Sequence, residues 1–165
     1  MKKVLILFFC FLAFGVQETF SQPRSIGLRL VTGYEVQYQH NFTDVSFLEA
    51  AAGVDNAGSG NENGLKFTCT YNWEIAHPDW SRKGAWVWYM GPGVTTGYVN
   101  DRLDDDDPGF MIGLAFQVGC EYTFDFPISL AADVRPVMGY HAGTDSFYDC
   151  GLRGLIPSLS VKYRF

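Results

Sequence analysis

Between Phe110 and Phe124 an apolar or aromatic residue stands at every second position: Phe110, Ile112, Leu114, Phe116, Val118, Cys120, Tyr122 and Phe124. The residues between them, Met111, Gly113, Ala115, Gln117, Gly119, Glu121 and Thr123, are mostly small or polar. Successive side chains of a β-strand point to opposite faces, so this run encodes one greasy face and one small or polar face. A period of two sustained this long points to a lipid-spanning β-barrel strand. The chain's basic, then apolar opening and its closing Val161-Lys162-Tyr163-Arg164-Phe165 agree with that.

Met1-Lys2-Lys3, an apolar run from Val4 to Val16 and a polar stretch to Ser21 have the layout of a secretory leader, with the cut expected before Gln22. The apolar run is shorter than the roughly 18 to 20 residues a membrane-spanning helix needs. The chain is therefore expected to divide into a removed segment, 1–21, and one domain, 22–165. Without the leader, ten basic and seventeen acidic side chains remain, a net charge of −7. An acidic chain without basic stripes has no electrostatic grip on nucleic acid. Cys69, Cys120 and Cys150 stay behind, an odd number, and the first two fall at outward strand positions, as small apolar residues.

The same alternation recurs along the chain. Outward sets are Leu65 to Ile75, Trp86 to Tyr98, Ile128 to Met138 and Leu159 to Phe165, with a weaker one from Leu48 to Val54. The long connections expected are 55–63, 100–108 and 140–150; the short ones lie near 40–44, 76–84 and 125–127. Seven clear segments result, yet a single-chain bacterial barrel has an even number of strands. Residues 26–40 are therefore expected to fold into two strands about Thr32-Gly33, with Leu28, Leu30, Tyr34, Val36 and Tyr38 outward. The fold expected is all-β: an eight-stranded antiparallel up-and-down transmembrane barrel with a lumen filled by side chains.

Alternation alone does not say which face meets lipid. Aromatic residues decide it, because Tyr38, Trp73, Trp86, Trp88, Tyr122, Phe124, Tyr163 and Phe165 cluster at one end of successive strands, as in an interfacial belt. The other face carries Arg29, Lys66, Arg135, Lys162 and Arg164 against Glu35, Glu49, Glu74, Glu121 and Asp133, five charges of each sign. Buried charges are tolerated when paired, so a plugged barrel follows rather than a pore. Gly91, Gly93, Gly97, Gly113 and Gly119 are expected to leave room for these long side chains.

Glu121 to Pro127, Leu130, Asp133-Val134-Arg135-Pro136, Tyr38-Gln39-His40 and the closing Val161 to Phe165 resemble a family of small outer-membrane β-barrels, similar in build to the OmpX and OmpA membrane domains. The resemblance implies an eight-stranded barrel in the cell outer membrane of a Gram-negative envelope, with both termini periplasmic. It also implies a terminal Phe165 read as a signal by the barrel assembly machinery. Family members largely lack an assigned activity, so it implies placement and little chemistry.

The three long connections hold Asp55, Glu62, Asp101, Asp104, Asp105, Asp106, Asp107, Asp145 and Asp149 against Arg102, a net −8. For a calcium loop starting at Asp104, Asp106 and Gly109 fit. Pro108, however, falls where a ligand belongs, and Ala115 where the closing Glu should be. A solvated acidic loop near lipopolysaccharide phosphates, binding divalent cations loosely, explains Asp104 to Asp107 better than a defined metal centre. His141, Asp145 and Ser146 fall in one expected loop and offer a base, an orienter and a nucleophile. Their spacing fits no lipid A hydrolase pattern, and His40 and His77 fall near the inner turns. The expectation is thus a non-enzymatic, cofactor-free, monomeric outer-membrane barrel presenting acidic loops, for envelope integrity or surface interaction. The alternatives are a lipid A-modifying enzyme, by acyl transfer or deacylation, and a narrow solute or ion channel.

Overall fold

A computed structural model describes residues 23–30, 33–55, 64–100, 108–142, 146–149 and 155–165. The expected leader, Thr32, Glu62, Asp101, Arg102, Asp104, Asp105, Asp106, Asp107, Asp145 and Cys150 lie outside the described residues, as do the side chains of Asp55, Ser146 and Asp149. Ten strand segments follow one another: β1 (Arg24–Leu30), β2 (Tyr34–Thr43), β3 (Ser46–Asp55), β4 (Gly64–Ala76), β5 (Ala85–Asn100), β6 (Pro108–Thr123), β7 (Ile128–Val134), β8 (Val137–His141), β9 (Ser146–Asp149) and β10 (Ser158–Arg164). They build eight antiparallel staves, because β7 and β8 share one stave and β9 and β10 another. Neighbours in sequence pair with each other, and β10 closes the barrel onto β1 through the pairs Ser25↔Arg164 to Leu30↔Leu159.

Residues 26–40 do form two strands, with Leu30 opposite Tyr34 across the turn. Paired residues lead from Leu30 through Tyr34, Val54, Leu65 and Tyr98 to Phe110. The opposite route, through Leu159 and Ala132, reaches β6 at Cys120, ten residues further along. An eight-stave barrel with this stagger has strongly tilted strands and an interior just wide enough for side chains to fill.

The faces divide as the alternation predicts. Leu65, Leu114 and Leu159 are 68%, 64% and 65% exposed, whereas Glu49 and Lys162 are 1% exposed. The barrel is therefore apolar outside and polar within, the reverse of a soluble lipocalin-like barrel.

Four local expectations need correction. The expected strand 128–139 is broken at Arg135-Pro136, because proline has no N–H to give the ladder; the Pro136 carbonyl instead accepts the Phe116 N–H at 3.1 Å. The expected loop 140–150 is largely strand: β8 continues through His141, and β9 turns back with Ser146 opposite it. Residues 155–157 lie outside the strands, and the wall resumes at Ser158 with β10. The short connection near 40–44 is tighter than expected, since β2 runs to Thr43 and β3 begins at Ser46. Finally, the lumen glycines act mainly through backbone approach. A Cβ at Gly91 would overlap the Tyr71 carbonyl of β4, so a side chain there would push two strands apart. Gly119 alone fits the expectation closely, because a Cβ there would stand 2.5 Å from the Tyr89 ring that lies over it.

Candidate functional site: the charged lumen

Each strand delivers its charged residues inward because their sequence neighbours are apolar and take the outer face. Arg29 is the last inward residue of β1, and Glu35 faces it on β2. Its Nη1 donates to Glu35 Oε2 at 2.8 Å, and its Nη2 to Asp133 Oδ1 at 2.6 Å. Asp133 lies two strands away on β7, and the intervening β10 presents Ser158 and Ser160 there, small enough for the guanidinium to pass over. Arg135 turns away from its near neighbour Asp133. It reaches across the lumen to Glu35 at 3.3 Å and to Glu49 on β3. Lys66, on β4, approaches the other Glu35 oxygen at 3.5 Å.

A second cluster surrounds Lys162. Its Nζ donates to Gln39 at 2.7 Å, to Glu121 at 2.9 Å and to Glu49 at 3.2 Å, so all three ammonium protons have acceptors. The ammonium also lies 5.8 Å from the Phe47 ring and 5.7 Å from the Tyr89 ring, within cation–π range. Glu49 joins the clusters, with Oε1 accepting from Arg135 and Oε2 from Lys162. Beside it a neutral chain completes the filling. Gln117 donates to Glu49 at 3.1 Å and accepts from Thr70 at 2.6 Å and from Asn72 at 3.2 Å, while Thr68 and Thr95 bond at 3.0 Å.

Eight of the ten charges expected inside thus form one lattice, Arg29, Lys66, Arg135 and Lys162 against Glu35, Glu49, Glu121 and Asp133. The other two sit at the rim. Glu74 meets His77 at 2.7 Å, and Arg164 donates to the Phe124 carbonyl at 3.1 Å. Near that rim a cavity of about 200 Å³ is lined by Ser25, Gln39, Asn41, Thr123, Arg164 and the floor residues Phe47 and Tyr89, among others.

At the same end the aromatic residues touch in a chain. Trp80–Trp86, Trp86–Tyr122, Tyr122–Phe124 and Phe124–Phe126 have ring centroids 5.5, 4.8, 4.7 and 4.8 Å apart. Tyr38, Trp73, Trp88, Tyr163 and Phe165 are exposed on the outer wall. Sequence reasoning missed Trp80 and Phe126 because both lie in turns; a turn that spends a tryptophan or phenylalanine was the available signal. The turn is fixed by Gly84, at φ 73°, whose N–H donates to Asp125 at 3.1 Å, and by the Tyr122 hydroxyl donating to the Lys83 carbonyl at 2.7 Å. His141, expected in a loop, is instead fully buried at the end of β8. Among the described residues no three His, Cys, Asp or Glu side chains group as metal ligands.

A closed eight-stave barrel, apolar outside and ionic within, defines the outer-membrane type of small β-barrel. Among solved structures the chain resembles the crystal structure of Neisserial surface protein A. The TM-score is 0.51 with 12% sequence identity, over 87% of this chain and 94% of that one. At that identity the likeness is one of fold. No protein-family model matches the chain, and no curated protein matches it significantly.

Proposed function

We propose that the protein is a non-enzymatic, monomeric barrel of the cell outer membrane that is closed to solutes and presents its acidic long connections outward, for envelope integrity or surface contact. The observation that carries this is the lumen: four cations and four carboxylates, all pointing inward, interlock across it around Glu49. The short turns and both ends of the domain then face the periplasm, with the aromatic residues Tyr38, Trp73, Trp86, Trp88, Tyr122, Phe124, Tyr163 and Phe165 at the inner interface. In this reading Phe165 is the mark the barrel assembly machinery reads. The carboxylates of 101–107 face lipopolysaccharide, whose phosphates they meet through loosely held divalent cations.

The test is a gel of the outer-membrane fraction run with and without boiling, together with planar-bilayer recording. The reading expects a band that shifts on boiling and a membrane that stays at baseline current. A band that does not shift, or a steady conductance, contradicts it.

A further inference from the structure

We propose that the rim cavity binds a small zwitterion with its ammonium and carboxylate at opposite ends, such as a dipeptide, the carboxylate on Arg164 and the ammonium on Glu74. The proposal rests on the fold and not on the function proposed above.

Of the ten charges expected inside, Arg164 alone has no ionisable partner among the described residues, since eight interlock and Glu74 meets His77. Its Nη2 donates to the Phe124 carbonyl, while its Nε is buried with no acceptor in the protein. A guanidinium in this state offers a carboxylate charge-assisted hydrogen bonds from a planar fork. Arg24 lines the same side of the cavity, on β1 next to β10.

Glu74 forms the opposite pole. It lies on β4 and Arg164 on β10, four staves apart by either route round the eight. The paired row from Arg164 passes Ser25, Gln39 and Glu49 to reach Thr70. Half of the ten-residue stagger moves the level position about five residues along β4 toward the short turns, and Glu74 is the inward residue there. The two charges therefore face each other across the mouth of the lumen. The Glu74 side chain is 13% exposed, and His77 meets only its Oε2, so Oε1 remains for an ammonium.

Both residues line the cavity, whose volume of about 200 Å³ suits a molecule of dipeptide size. Ala85 and Val87 offer apolar contact to its side chains, and Asn41 and Thr123 offer polar groups to its peptide unit. Gln39 and Glu121 line the inner end and are already bonded to Lys162, so the ligand's own charges fall to the two poles. A lone anion there meets the Glu74 charge and a lone cation meets Arg164, whereas a ligand carrying both charges satisfies both.

The experiment is an NMR titration of the isotope-labelled barrel in nonionic detergent micelles at pH 7, reading the Val87 methyls and the Thr123 backbone amide. The probes are dialanine, its N-acetyl form without the ammonium and its C-terminal amide without the carboxylate. The proposal expects saturable shifts with dialanine and affinity weaker by about tenfold or more for each capped form. Arg164→Met, checked for folding by the boiling-dependent gel shift, should weaken dialanine binding by a similar factor and leave the amide form unaffected. No saturable shift with dialanine, equal affinity for the three compounds, or unchanged dialanine binding by the folded variant would overturn the proposal. The capped compounds test it on the unaltered chain even where the variant does not fold.

Discussion

Arg29 and Asp133 stand 104 residues apart in the chain, yet their side chains meet at 2.6 Å over the strand that closes the barrel. The pair spans β1, β10 and β7, so it clamps the first and seventh staves across the last. Arg29 also holds Glu35, and its removal leaves two buried carboxylates each short of a partner. Breaking a buried ion pair from one side costs about 3–5 kcal/mol. Arg29→Met is therefore expected to lower unfolding free energy by about that amount, and Arg29→Met with Asp133→Leu by less than the two single changes combined. Urea titrations followed by the boiling-dependent gel shift check both.

Glu49 accepts Arg135 and Lys162 on separate oxygens. Glu49→Gln keeps the volume but withdraws the charge that both cations share. The expected result is a loss of about 3–5 kcal/mol with conductance still at baseline, since the plug is unchanged in size. Steady current through this variant would show that charge, and not volume, closes the lumen.

Gly119 supplies the space for the Tyr89 ring. Gly119→Val is expected to destabilise the barrel by roughly 1–3 kcal/mol through overpacking, and Tyr89→Leu in the same chain to recover much of the loss. Unfolding midpoints of the two single variants and the double variant give the comparison.

Leu114 lies on the outer wall of β6 at 64% exposure. Leu114→Arg is expected to cost about 2–4 kcal/mol if that position lies at the bilayer midplane. Refolding into lipid vesicles reads this directly, and Gln117→Leu on the opposite face should act instead through loss of its bonds to Glu49, Thr70 and Asn72.

His141 is buried in the lumen at the end of β8. A chain carrying His141→Ala and Ser146→Ala is expected to leave the acylation of lipid A unchanged, as judged by mass spectrometry of lipid A from cells with and without the variant.

Strand positions and facing were legible because inside and outside impose opposite chemistry on alternate residues, and a one-residue slip would invert both faces. Even the first hairpin followed from parity, although Leu28 to Tyr38 alone carries a weak signal. The charged residues of the lumen were legible as a set, but their pairing was not. Arg135 is two residues from Asp133 and bonds to Glu35 and Glu49 instead, a choice set by the stagger of the closed barrel. That stagger depends on every pairing at once, and no local pattern encodes it. The break at Pro136 could have been anticipated from its missing N–H. The return strand β9 could not, because Gly143 to Asp149 reads like an ordinary loop.

The central claim is that apolar side chains face lipid and ions fill the interior. Spin labels placed singly from residue 110 to 124, in a chain with its native cysteines replaced, test it through collision with oxygen and with a water-soluble nickel chelate in lipid bilayers. Labels at 110, 112, 114 and 116 should collide with oxygen and be shielded from nickel, while those at 113, 115 and 117 should show low access to oxygen. High nickel access at Leu114→Cys, or the same access at odd and even positions, would contradict the account.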